Sequence, residues 1–220
     1  MIRKARILAS ANLRTQWVPG DTKKAERSFF TINDQATPIE KTERQMIEAR
    51  HQPIALATRA IIRAGTGHKY WSTFAEGKRG EIEKLARETY STLFTPDLET
   101  PIKTLDLPVA GRGYSGESVK LIWDLVAFAN RERVGGAKGK TRARRTGPQD
   151  ISSDETGDDK TGDETIAYLK TARRLASMVA GTSPASLGVH PAVYFYSATG
   201  RYQPTAFLAA VSFVDHLEQT

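Results

Sequence analysis

Two runs of apolar residues at helical spacing, hinged on one proline, constrain this chain more than any other feature. In the first, Ile39, Met46 and Ile47 stand at i, i+7 and i+8 and share a helical face. After Pro53, Ile54, Ala57, Ile61 and Ile62 repeat the pattern. Proline fits a first helical turn and breaks a continuing helix, so the spacing predicts two helices folded as a hairpin. Arg44, Arg50, Arg59 and Arg63 mostly fall off the apolar faces and give the hairpin a basic outer surface. Upstream, Thr37-Pro38 restarts the chain and Asn33-Asp34 reads as a turn. Residues 22–32 read as a helix capped by Asp21, with Ala25, Phe29 and Ile32 sharing a face.

The same period continues downstream. Gly65 suits the left-handed position that closes the hairpin, and Tyr70, Trp71 and Phe74 read as its aromatic anchor in preference to a base-stacking cluster. Ile82, Leu85, Ala86, Thr89 and Leu93 mark a helix over 80–94, stopped at Thr95-Pro96. Residues 116–133 are apolar almost all round, which predicts a central buried helix. Ile166, Leu169, Ala176 and Val179 share a face of a helix over 164–180, with Gly181 after it. Val193-Tyr194-Phe195-Tyr196 reads as extended or as a single helical turn. Pro204 then opens a last helix with Phe207, Val211, Val214 and Leu217 inward.

Residues 134–163 differ in kind. Lys138, Lys140, Arg142, Arg144 and Arg145 form a basic block; Asp150, Asp154, Glu155, Asp158, Asp159, Asp163 and Glu164 follow against a single Lys160. Large apolar side chains are nearly absent there, so burial cannot offset the entropy of ordering. The expected fold is therefore mainly α: one helical domain, with a long disordered charged linker before its last two helices. The expected parts are a helical region 1–133, the linker 134–163, and C-terminal helices 164–220 packing on the first part.

Zero cysteines exclude disulfides, thiolate metal sites and cysteine nucleophiles, and fit a reducing compartment. No stretch has the apolar length of a membrane-spanning helix, and the basic start lacks a signal-peptide core, so a cytoplasmic location without membrane contact is expected. The formal net charge of +7 favours polyanionic partners, DNA first. The basic block at Lys138, Lys140, Arg142, Arg144 and Arg145 reads either as a solvated linker or as a nucleic-acid contact through phosphates, without sequence readout.

Two glycine motifs bear on nucleotide chemistry. GTGHK at 65–69 lacks the phosphate-loop spacing and its Lys-Ser/Thr ending. Gly111, Gly113 and Gly116 match G-x-G-x-x-G, but no βαβ unit surrounds them. The run reads as a turn with Ser115 capping the next helix; the alternative is an anion subsite at that helix start, from Arg112, Gly113 and Ser115. His51, His68, His190 and His216 show no metal-ligand spacing, and Asp106, Glu117 and Asp124 no distinctive arrangement, so neither metal, cofactor nor catalytic residue is expected.

The run F-x-x-x-N-x-x-x-T-P-[IL]-x-x-x-E is met by Phe29, Asn33, Thr37, Pro38, Ile39 and Glu43. It resembles the segment after the nucleotide-binding core of ParB-like DGQQR-motif proteins, the family of the N-terminal domains of GmrSD-type modification-dependent restriction enzymes. The resemblance implies a role in DNA-targeting defence or restriction. The Asp-Gly-Gln-Gln/His-Arg signature itself is not in these residues. The chain is therefore expected to be a C-terminal portion from a truncated or split reading frame. It should lack catalysis of its own and act with the missing N-terminal half or a nuclease partner. A small basic DNA- or RNA-binding protein is the alternative.

Overall fold

The computed structural model describes residues 20–36, 39–95, 116–131, 157–200 and 202–218. The chain divides into two units, Met1–Glu40 and Lys41–Thr220. The boundary falls between the motif positions Phe29 and Asn33 on one side and the hairpin on the other.

In the first unit the described residues form α1, Thr22–Ala36. Asp21 caps it as the sequence predicts, its Oδ1 accepting the Lys24 N–H at 2.9 Å. The turn expected at Asn33-Asp34 is not there; the helix runs through both residues. Their propensity penalty is well under 1 kcal/mol each, too little to stop a hydrogen-bond ladder already formed. The face shared by Ala25, Phe29 and Ile32 is exposed, with Phe29 and Ile32 about half accessible. A shared face shows amphipathicity, not that something covers it.

The second unit is built from α2 (Lys41–Glu48), α3 (Pro53–Ile62), a 3₁₀ turn His68–Tyr70, α4 (Glu76–Phe94), α5 (Gly116–Ala129), α6 (Asp163–Ala180), α7 (Pro191–Tyr194) and α8 (Pro204–Glu218). The protein is mainly α, as expected, and no strand occurs among the described residues. Pro53 stands at the first position of α3, where its missing N–H costs nothing. From Pro53 to Ile61 only Arg59 is not buried, so α3 sits inside a layer of α4, α5 and α6. Alanines 55, 57 and 60 let those neighbours approach closely.

Helix α4 buries Ile82, Leu85, Ala86, Thr89 and Leu93, the stripe read from sequence, but starts four residues before the expected 80. Its most extensive partner is α6. Lys78 pairs with Asp163, Glu81 with Lys170 at 2.7 Å and Glu88 with Arg173 at 2.6 Å. Residue numbers rise together along both helices, so α4 and α6 run parallel, which requires the long connection that α5 interrupts. These exposed pairs are each worth about 0–1 kcal/mol and serve mainly to set register. The Lys78 ammonium, hydrogen-bonded to it, holds the Asp163 carboxyl below its ordinary range.

Helix α5 is buried nearly all round, from Ser118 to Ala127 apart from Lys120, and packs on α2, α3, α6 and α8. Lys120 reaches the buried Asp124 at 2.5 Å. Asn130, also buried, donates to the Val126 carbonyl at 2.9 Å and to the Tyr168 carbonyl on α6 at 3.3 Å. On α8, Phe207, Val211 and Val214 are buried as expected, but Leu217 is not. At about 100° per residue Leu217 and Asp215 flank that stripe on opposite sides, and the side the structure buries is that of Asp215. Asp215 is itself buried, with Arg131 at 2.5 Å and Arg174 at 3.5 Å, which ties α8 to the end of α5 and to α6.

Residues 157–163, expected within the disordered linker, are placed. The Asp159 N–H donates to the His51 carbonyl at 2.9 Å. Its Oδ1 accepts the Thr161 and Gly162 N–H groups at 3.1 and 2.8 Å; its Oδ2 accepts the Thr165 N–H at 2.8 Å and hydroxyl at 2.7 Å. One carboxylate thus organises the start of α6, which composition alone could not reveal.

Near the C-terminus both sequence readings of 193–196 apply in part. Residues 191–194 make one helical turn, and Tyr196 then bridges antiparallel to Tyr202. His190, just before, is buried and its Nε2 lies 2.9 Å from the Thr92 carbonyl on α4. Burial pushes its pKa below 6.5, against the opposing effect of that hydrogen bond. Above about pH 7 the ring is neutral in folded and unfolded chains and adds no pH dependence. As pH falls through 6.5 the unfolded chain binds the proton first, and stability drops until the folded ring also protonates. The wild type is therefore expected to lose more thermal stability between about pH 7 and 5 than His190→Gln, read by circular dichroism melts. Equal losses would mean His190 does not titrate differently on folding.

Candidate nucleic-acid interface

The end of α3 turns back on itself in a way that gathers cations around one tyrosine. Arg63 closes the helix; Ala64 and Gly65 follow with φ of +49° and +72°. The Gly65 N–H donates to the Ala60 carbonyl at 2.9 Å and the Ala64 N–H to that of Ile61 at 2.9 Å, which satisfies the last helical carbonyls. Thr66 donates to the Arg63 carbonyl twice, by N–H at 2.8 Å and by hydroxyl at 2.6 Å. Gly67, φ +88°, leads into the 3₁₀ turn that carries Tyr70.

The aromatic trio expected to anchor the hairpin divides. Trp71 and Phe74 do anchor it: both are buried, and the Trp71 indole donates to Glu83 on α4 at 3.2 Å. Tyr70 does not. It keeps 42% of its surface exposed, with the Arg59 and Arg63 guanidinium carbons 4.8 and 5.3 Å from its ring centroid. Sequence reasoning missed this because Trp71 and Phe74, three apart, share a face that Tyr70 does not. Adjacent aromatics in a turn cannot all point inward.

Arg59 has a structural task as well. Its two terminal nitrogens donate to the Met46 carbonyl at 2.7 Å and the Arg50 carbonyl at 3.1 Å. A cation on carbonyls at and just past the end of α2 satisfies acceptors and the helix dipole together. Arg63 and Lys69 are exposed, and among the described residues neither shows an ion pair. Arg44 pairs with Glu48 at 3.1 Å, and Arg50 donates to His51 Nε2 at 3.1 Å. The basic outer surface read from the hairpin is thus partly committed, and its available end is Arg63 with Lys69.

Other expected positions fall out as follows. Phe29 and Asn33 stand one turn apart on α1; Glu43 lies in the first turn of α2, in the other unit, where an acid suits the helix dipole. Thr37, Pro38, Arg112, Gly113, Ser115, Lys138, Lys140, Arg142, Arg144 and Arg145 lie outside the described residues. Among the described residues no group of three His, Cys, Asp or Glu could hold a metal, and no helix is long and apolar enough to cross a membrane.

Fold and surface together define an all-helical protein presenting an arginine–tyrosine corner. No protein-family model, curated protein or solved structure matches the chain.

Proposed function

We propose that the protein is a helical DNA-contacting module that binds phosphates without reading sequence and without catalysis of its own. The carrying observation is the corner at the end of α3, where exposed Arg63 and Lys69 flank a tyrosine already held by Arg59. The net charge of +7 supports it, as does the basic block from Lys138 to Arg145. The motif at Phe29, Asn33, Thr37, Pro38 and Glu43 favours a DNA-targeting defence or restriction setting, with nucleotide chemistry supplied by a DGQQR-bearing partner.

The test is a salt titration of binding to short DNA, single- and double-stranded. Non-specific Kd values of about 10⁻⁴–10⁻⁶ M are expected, with log K falling linearly in log salt at about 0.9 per duplex phosphate engaged. Substituting Arg63→Gln with Lys69→Gln should lower that slope by about two. Changing Lys138, Lys140, Arg142, Arg144 and Arg145 to Gln should lower it by about three to five. No binding to either probe at low salt refutes the reading; unchanged slopes move the contact elsewhere.

A further inference from the structure

Resting on the DNA-contact reading, we infer that the corner of Tyr70, Arg63 and Lys69 takes an unpaired base, which makes single-stranded nucleic acid the preferred target. A duplex keeps its base faces inside the stack and offers an exposed phenol only sugar and phosphate. An unpaired base offers its whole π-face, and sequence does not matter because every base has one.

Three features make Tyr70 a platform instead of a loose surface ring. Its backbone is fixed from both sides: its N–H donates to the Gly67 carbonyl at 3.4 Å, and the next residue, Trp71, is fully buried and bonded to Glu83. Its ring is oriented by Arg59, whose guanidinium is itself held by the Met46 and Arg50 carbonyls. Little freedom remains to be lost on stacking. Arg63 runs over Gly67: a Cβ there would lie 2.9 Å from Arg63 Cδ, so an added side chain would make the arginine shift. Arg63 can then extend the stack or meet the adjoining phosphate, and exposed Lys69 immediately precedes Tyr70 in the chain.

The experiment is fluorescence anisotropy at low salt, using a labelled oligothymidylate of about 15 nucleotides and the matching oligoadenylate–oligothymidylate duplex. The single strand should bind more tightly. Tyr70→Ala should weaken single-strand binding about tenfold and leave duplex binding within about twofold. Tyr70→Phe should retain single-strand binding, since the stack uses the ring and not the hydroxyl; this arm also holds if the alanine variant folds poorly. Gly67→Ala should weaken single-strand binding in the same direction by displacing Arg63. The inference is overturned if both probes bind equally and Tyr70→Ala changes neither, in which case the phosphate reading stands alone. It is also overturned if Tyr70→Phe loses as much as Tyr70→Ala. Failure of both probes to bind refutes the DNA-contact reading itself.

Discussion

Gly65→Ala is expected to lower the free energy of unfolding by about 3 kcal/mol, a large share of the 5–15 kcal/mol typical of a domain. Two costs add. Gly65 has φ of +72°, where a side chain costs about 1 kcal/mol or more. A Cβ there would also stand 2.3 Å from the Glu83 carbonyl oxygen, which is backbone of α4 and cannot swing aside. Relief requires α3 and α4 to separate, and Trp71 and Glu83 lie in that contact, so overpacking adds about 1–3 kcal/mol. Gly188→Ala provides the control. Its φ is +65°, but nothing lies within 4 Å of the added Cβ, so only the dihedral cost of about 1 kcal/mol applies. Urea midpoints for the two variants separate strain from collision. Equal losses would mean that α4 does not press on the hairpin turn.

How far the sequence foretold this depends on whether a residue's task is periodic. The stripes on α3, α4 and α6, and the near all-round burial of α5, follow from apolar spacing, and the structure buries the residues that spacing named in those stripes except Ile62, which is partly buried. Asp21 and Gly65 were readable too, since capping and left-handed closure depend on residues a few positions away. Failures came where the deciding partner is distant in sequence. Arg59 reads as one more outward arginine, yet it caps α2 from thirteen residues away. Asp215 sits in a helix read for its apolar residues, and its meaning comes from Arg131 and Arg174. Composition groups Tyr70 with Trp71 and Phe74, whereas at the end of its 3₁₀ turn Tyr70 stays exposed while the other two are buried. The candidate interface was therefore half visible: its arginines were read as a basic surface, and its aromatic centre was not.

Asp159→Ala is expected to cost about 2–3 kcal/mol, from loss of four hydrogen bonds on one carboxylate. Thr165 is fully buried, so its amide and hydroxyl would be left without that acceptor and could not turn to bulk water. The exposed amide of Thr161 would rehydrate at little cost. Asp159→Asn keeps one acceptor oxygen and should fall between alanine and wild type. Asp158→Ala, at an exposed neighbour, should stay within about 0.5 kcal/mol in the same urea titration. A loss at Asp159 no larger than at Asp158 would mean that the start of α6 does not depend on it. The same contrast decides how the acidic run bears on DNA contact. Were it only a solvated screen for the basic block, all its carboxylates would be interchangeable and cutting out 150–163 would simply strengthen binding. Because Asp159 organises the entry to α6 and Asp163 pairs with Lys78, that deletion would disturb the packing of α6 on α4. Neutralising Asp150, Asp154, Glu155 and Asp158 while sparing Asp159 and Asp163 should raise DNA affinity at low salt without moving the urea midpoint. The Debye length of about 8 Å at physiological salt should erase most of that gain.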